Sequence, residues 1–126
     1  MSERIRWITH KGKRILFSDY SGLKGEEYIA AIEALKQELV RQPAGSIVLT
    51  LNDVTGSVAS HPVVKKGQEL EEAKNQRGVI TFAAMVGLTG MKAALIQFVN
   101  RDAHVFASHE EAKDWLVAQA DQAAKE

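Results

Sequence analysis

Between residues 53 and 61 the chain gathers a carboxylate, hydroxyls and an imidazole: Asp53, Thr55, Ser57, Ser60 and His61. These are the side-chain types that general acid–base and nucleophilic chemistry require. Three features argue against catalysis. No G-x-S-x-G elbow surrounds either serine. His61 precedes Pro62, which restricts its backbone. Triad partners ordinarily come from separate elements, because neighbours along a chain seldom converge. The segment reads instead as a polar loop that leaves a strand and feeds a helix. Ser60 or His61 would cap that helix, and the other groups would form a rim able to hold a partner, or an anion on the helix N–H groups.

A second candidate is Gly87-Leu88-Thr89-Gly90 with Lys92. Backbone amides at a helix start beside a lysine can hold an anion. The P-loop spacing is absent, and the simpler reading makes Thr89 an N-cap and the glycines a turn. If both loops follow parallel strands, Asp53, Thr55, Ser57, Ser60, His61, Thr89, Gly90 and Lys92 share one end of a sheet, where open α/β sheets bind ligands. The histidines at 10, 61, 104 and 109 show no metal-ligand spacing, so no metal and no cofactor are expected. Arg4, Arg6, Lys11, Lys13 and Arg14 form a basic cluster that could steer an acidic partner or keep an edge strand from pairing with other chains.

The elements that must position these groups are legible from periodicity. Ile5–Thr9 and Arg14–Tyr20 flank His10-Lys11-Gly12-Lys13 as a hairpin. Tyr28, Ile29, Ile32, Leu35, Leu39 and Val40 recur at helical spacing, and Pro43 and Gly45 stop that helix. Ser46–Leu51 and Val79–Val86 read as buried strands. A helix over 62–77 lies between them, and its Gly67 predicts a close approach of helix and sheet. A third helix carries Met91, Leu95, Ile96 and Val99. Ala103–Ala107 is a short last strand. Ser108 and Glu111 make a capping box for a final helix with Ala112, Trp115 and Leu116 inward, fraying after about Ala120. The order ββαβαβαβα predicts a five-stranded mixed, mainly parallel α/β sheet with an N-terminal hairpin and four helices. It forms one domain over residues 1–126, with 121–126 as a frayed tail.

Composition narrows the function classes. Hydrophobic residues at 45% and charged residues at 25% are ordinary for a globular domain and argue against disorder. Lys+Arg and Asp+Glu are both 16, so no global charge draws the chain to nucleic acid or anionic membrane. The lack of cysteine removes disulfides, thiolate metal sites and a thiol nucleophile. No apolar run approaches the roughly 20 residues that span a bilayer, and the N-terminus lacks a signal-peptide core, so a cytoplasmic protein is expected.

Three segments carry a family resemblance. Gly12-Lys13-Arg14-Ile15-Leu16-Phe17-Ser18-Asp19-Tyr20-Ser21-Gly22-Leu23 resembles the opening hairpin of the SpoIIAA-like (STAS/SEC14-type) family of small bacterial proteins. Val86-Gly87-Leu88-Thr89-Gly90-Met91-Lys92 resembles its turn into the third helix. Ser108-His109-Glu110-Glu111-Ala112-Lys113-Asp114-Trp115-Leu116 resembles its last helix. The resemblance implies a STAS-like fold and a regulatory module of the anti-sigma-factor-antagonist kind. In such antagonists a serine ahead of the second helix is phosphorylated to select the protein partner. Ser60 lies nearest that position, with Ser57 as the second candidate. The expectation is therefore a non-enzymatic interaction module that binds a protein partner at the loop–helix rim. Carrying or sensing a small apolar or anionic molecule, as SEC14-type similarity suggests, is the alternative, and a hydrolase is the next. Self-association into a homodimer stays open.

Overall fold

A computed structural model describes residues 3–88 and 103–125. Strands β1 (Ile5–His10) and β2 (Lys13–Asp19) form the expected hairpin. Lys11 and Gly12 both take positive φ, 50° and 80°, as a two-residue turn between right-twisted strands demands. Helix α1 (Gly25–Val40), strand β3 (Ile47–Asp53), helix α2 (His61–Arg77), strand β4 (Ile80–Val86), strand β5 (Ala103–Phe106) and helix α3 (His109–Lys125) follow. The sheet runs β1-β2-β3-β4-β5, with β1 antiparallel to β2 and the other neighbours parallel. The α/β architecture and five-stranded mixed sheet are as the sequence implies. Thr89, Gly90, Lys92 and the helix expected over Met91–Val99 lie outside the described residues.

Strand alternation sorts the core into two layers. Ile15, Phe17, Leu49, Leu51, Ala84 and Val86 face Ala112 and Leu116 of α3. Leu16 and Val48 face the other way, toward Ile32, Leu35 and Leu39 of α1 and Val63 and Leu70 of α2. Consecutive right-handed crossovers between neighbouring strands place α1 and α2 on this one face. Two features differ from expectation. Helix α3 continues through its Ala- and Gln-rich residues to Lys125 instead of fraying near Ala120. A side chain at Gly67 would meet nothing within 4 Å, so the glycine borders open space rather than a close helix–sheet approach. No helix among the described residues is long and apolar enough to cross a membrane.

Candidate functional site at the carboxyl ends of β2 and β3

Strands β2 and β3 leave the sheet on register-paired aspartates, Asp19 and Asp53. Each aspartate folds the chain back on itself in the same way. Asp53 Oδ1 accepts from the Thr55 amide (3.0 Å) and hydroxyl (2.6 Å). Asp19 Oδ1 accepts from the Ser21 amide (3.0 Å) and hydroxyl (2.5 Å). These are Asx turns, in which a short carboxylate takes over backbone N–H groups at the end of a strand. Glycines 22 and 56 follow at φ 69° and 68°. Backbone bonds then tie the two turns together, Tyr20 N to Asp53 O and Gly22 N to Thr55 O, both 2.8 Å. The β4 end joins them through Val54 N to Val86 O at 2.9 Å. Gly87 packs so closely on Thr55 that a Cβ there would lie 2.2 Å from Thr55 Oγ1.

The second oxygen of Asp53 meets a residue 56 positions away. His109 Nε2 lies 2.8 Å from Asp53 Oδ2. Helix α3 brings it there by starting over the strand ends and running back across the sheet. Ser108 Oγ caps that start by accepting from the Glu111 amide at 3.2 Å. The His109 ring also meets the edge of Phe17, centroids 5.6 Å apart, and the Arg6 guanidinium lies 4.9 Å over the same Phe17 ring. Burial works to raise the Asp53 carboxyl. The hydrogen bonds from Thr55 and His109 outweigh it and hold the group below the usual carboxylate range.

These groups surround a pocket of about 360 Å3, lined by Arg6, Asp19, Ser21, Asp53, His109 and Lys113 among others. Arg4 Nη1 stands beside it and donates to the Asp19 and Ser21 carbonyls, both at 3.1 Å. Both carboxylates receive hydrogen bonds from within the fold. The longer cationic side chains, exposed Arg6 and half-buried Lys113, reach the pocket with weaker engagement: Arg6 Nη1 to Glu3 O at 3.3 Å, Lys113 Nζ to Glu110 at 3.7 Å. The hydroxyls of Ser21 and Thr55 donate to carboxylates, so each serves a turn rather than standing as a nucleophile.

The rim read from the sequence is thus divided. Asp53 lies in the pocket, with Thr55 exposed beside it as its hydrogen-bond partner. Ser57 Oγ donates to Val54 O at 2.8 Å. Ser60 occupies the N-cap of α2, but its side chain makes no capping bond, and His61 is exposed. The expectation that one of these side chains caps α2 is corrected accordingly. The imidazole that meets Asp53 is His109, which the sequence reading confined to a capping box. Asp19, Ser21 and Lys113 are absent from the sequence-derived rim too, and Arg6 enters the sequence reading only within the basic hairpin cluster. The signal for Asp19 and Ser21 was present as a repeated Asp-x-Ser/Thr-Gly at 19–22 and 53–56. Nothing local signalled His109.

Histidine spacing gave no metal set, yet the fold brings ligand atoms of His10, Glu110 and Asp114 within 4.8 Å of one another. The Lys11 ammonium, 2.9 Å from Asp114, and His10 Nε2, 2.8 Å from it, already engage that carboxylate. The group reads as a charge latch between the hairpin turn and α3. No protein-family model and no curated protein matches the chain.

Proposed function

We propose that this protein is a non-enzymatic interaction module of the SpoIIAA-like kind, and that it holds an acidic side chain of a protein partner in the pocket beside Asp53. The Asp53–His109 bond carries this reading. It fixes an imidazole at the mouth of a small pocket whose cationic walls, Arg6 and Lys113, are less fully engaged than its carboxylates, Asp19 and Asp53. Arg6 of the basic hairpin and Asp53 of the rim, separate candidates in the sequence, line the same pocket. The lining cations Arg6 and Lys113 balance Asp19 and Asp53 in number. Both carboxylates are taken up by hydrogen bonds within the fold, so the cations are the groups left to meet an anionic side chain and steer its approach. The element order and the mixed sheet support the STAS-like kinship. Hydroxyls committed to Asx turns favour binding over catalysis.

The test is fluorescence anisotropy of the full chain against an array of acidic and phosphorylated peptides, with matched neutral peptides as controls. Binding of acidic peptides that is lost in Arg6→Glu/Lys113→Glu and weakened in His109→Ala supports the site. Peptides that bind the charge-reversed variant equally well refute it. Binding sensitive to Ser60→Asp and indifferent to Arg6→Glu/Lys113→Glu would move the interface to the start of α2, where the resembled antagonists are phosphorylated.

A further inference from the structure

The opposite face of the sheet holds a larger space. Between the α1/α2 layer and strands β3 and β4 lies a slot of about 560 Å3. That is within the roughly 300–1,000 Å3 of small-molecule sites. Its walls are apolar, with Ile32, Leu35, Val63 and Met85 among them. Its floor is not. Thr50 and Asn52 stand in the middle of the sheet at 4% and 9% exposure. Their side-chain hydrogen bonds are long: Thr50 Oγ1 to Phe82 O at 3.4 Å and Asn52 Nδ2 to Ala84 O at 3.3 Å. Asn52 Oδ1 receives no hydrogen bond from the described residues. Ser18, the register partner of Asn52, is fully buried with its hydroxyl unpartnered among them.

The helices above this floor are tied to each other more than to the sheet. α1 and α2 pack closely together, whereas α3 packs closely on β3 and β4. Lys66 bonds Glu33 across the α1–α2 seam at 2.7 Å, and Lys36 approaches Glu69 at 3.9 Å. Gly67 of α2 borders the slot and faces open space.

We propose that this slot binds an amphipathic small molecule whose neutral, hydrogen-donating head, a hydroxyl or an amide, meets Asn52 and whose apolar body lies along α1 and α2. An apolar filler would leave the Asn52 carbonyl buried without a partner, which is costly. Water would satisfy it and leave the apolar walls wet. A molecule with both characters answers both demands. A donating head suits the site, because one of the two Asn52 amide N–H groups bonds Ala84 O while Oδ1 receives no hydrogen bond from the described residues. It need not be charged: Lys74, at the far end of the slot, is already matched by Glu71 at 2.8 Å and Thr81 at 2.9 Å.

The test titrates delipidated full-length protein with 1-decanol and with decane, followed by NMR shifts of the residues that line the slot. Decanol should bind more tightly than decane. Asn52→Leu should erase that preference. Gly67→Leu should weaken decanol binding by about tenfold or more by filling the mouth, without lowering the unfolding temperature, because leucine is the better helix former. Acidic-peptide binding should survive both substitutions, which separates this site from the pocket beside Asp53. Three results would each overturn the proposal: binding of neither probe, equal binding of both by the wild-type chain, and NOE contacts that place the chain's own residues 91–99 in the slot.

Discussion

Helices α2 and α3 both begin with the dipeptide Ser-His, serine at the cap and histidine in the first helical position, yet only one of these starts is built into a site. At α3, Ser108 caps the helix and His109 bonds Asp53. At α2, Ser60 makes no side-chain cap and His61 is exposed. The residues are the same, so residue type does not decide the difference. What decides it is the surface each helix start meets. Helix α3 returns across the sheet and opens over the ends of β2 and β3, where two Asx turns leave a carboxylate oxygen pointing outward. Helix α2 leaves β3 through a loop of residues 54–60 that carries its first turn away from that carboxylate. A capping motif becomes part of a binding pocket when a second element delivers a partner to it.

The largest effect should come from the support beneath that carboxylate. In Gly87→Ala, the new Cβ would fall 2.2 Å from Thr55 Oγ1 and 2.6 Å from the Thr55 nitrogen, at a φ of 97°. Backbone would have to move. A loss of about 3 kcal/mol is expected in urea unfolding, and the displaced Thr55 should take acidic-peptide binding with it. A loss below about 1 kcal/mol would show that the β4 end does not brace Asp53.

Asp53 itself comes next. Asp53→Ala removes the acceptor shared by Thr55 and His109 and should cost about 2 kcal/mol. Its pH dependence has a definite sign. The folded-state pKa of Asp53 is depressed, so its stabilisation is full above the unfolded carboxylate value of about 4 and is lost as pH falls through the folded one. Glu33 behaves alike, held at about 2, chiefly by its hydrogen bond from Lys66. Acid titrations of unfolding should therefore be shallower below about pH 4 in Asp53→Asn than in the wild type, with Glu33→Gln flattening the remainder. An unchanged slope in Asp53→Asn would remove the carboxylate from the account.

His109→Ala against His61→Ala sharpens the comparison more directly. His109 is partly exposed, so its bond to Asp53 is screened, and its loss should cost about 1 kcal/mol. His61→Ala should stay within about 0.5 kcal/mol. Acidic-peptide binding should fall only in His109→Ala. Equal effects of the two substitutions on binding would dissolve the distinction between the helix starts.

The fold was readable because its signals are local: strand alternation, helical spacing and the Lys11-Gly12 turn each speak for a few neighbouring residues. Asp53 and Thr55 were readable for the same reason, as members of one polar run between a strand and a helix. His109 was not. Its partner lies 56 residues upstream, and within its own segment Ser108-His109-Glu110-Glu111 is fully accounted for as a helix start. The polar floor at Thr50 and Asn52 was hidden differently. Thr50 falls in a strand read as buried on both faces, where one polar residue looks like a tolerated exception. Asn52 falls just past that strand's predicted end at Leu51, whereas β3 runs on to Asp53. Gly67 misled because a missing side chain signals close approach and open space equally well in sequence.

The smallest effect separates the two starts at their caps. Ser108 Oγ accepts from the Glu111 amide, so Ser108→Ala strands that N–H and should cost about 1 kcal/mol, the ordinary worth of an N-cap. Ser60→Ala removes a side chain that accepts no such bond, and α2 keeps its backbone bond from Val64 N to Ser60 O at 3.0 Å, so the change should stay within about 0.5 kcal/mol. The pair of urea curves reads more than helix stability. Ser108 sets the height of the turn that carries His109, so Ser108→Ala should also weaken acidic-peptide binding slightly, whereas Ser60→Ala should leave it alone. A Ser60→Ala variant that lost a full cap's worth of stability would mean that the serine does cap α2 in solution, and the two helix starts would then differ in their histidines alone.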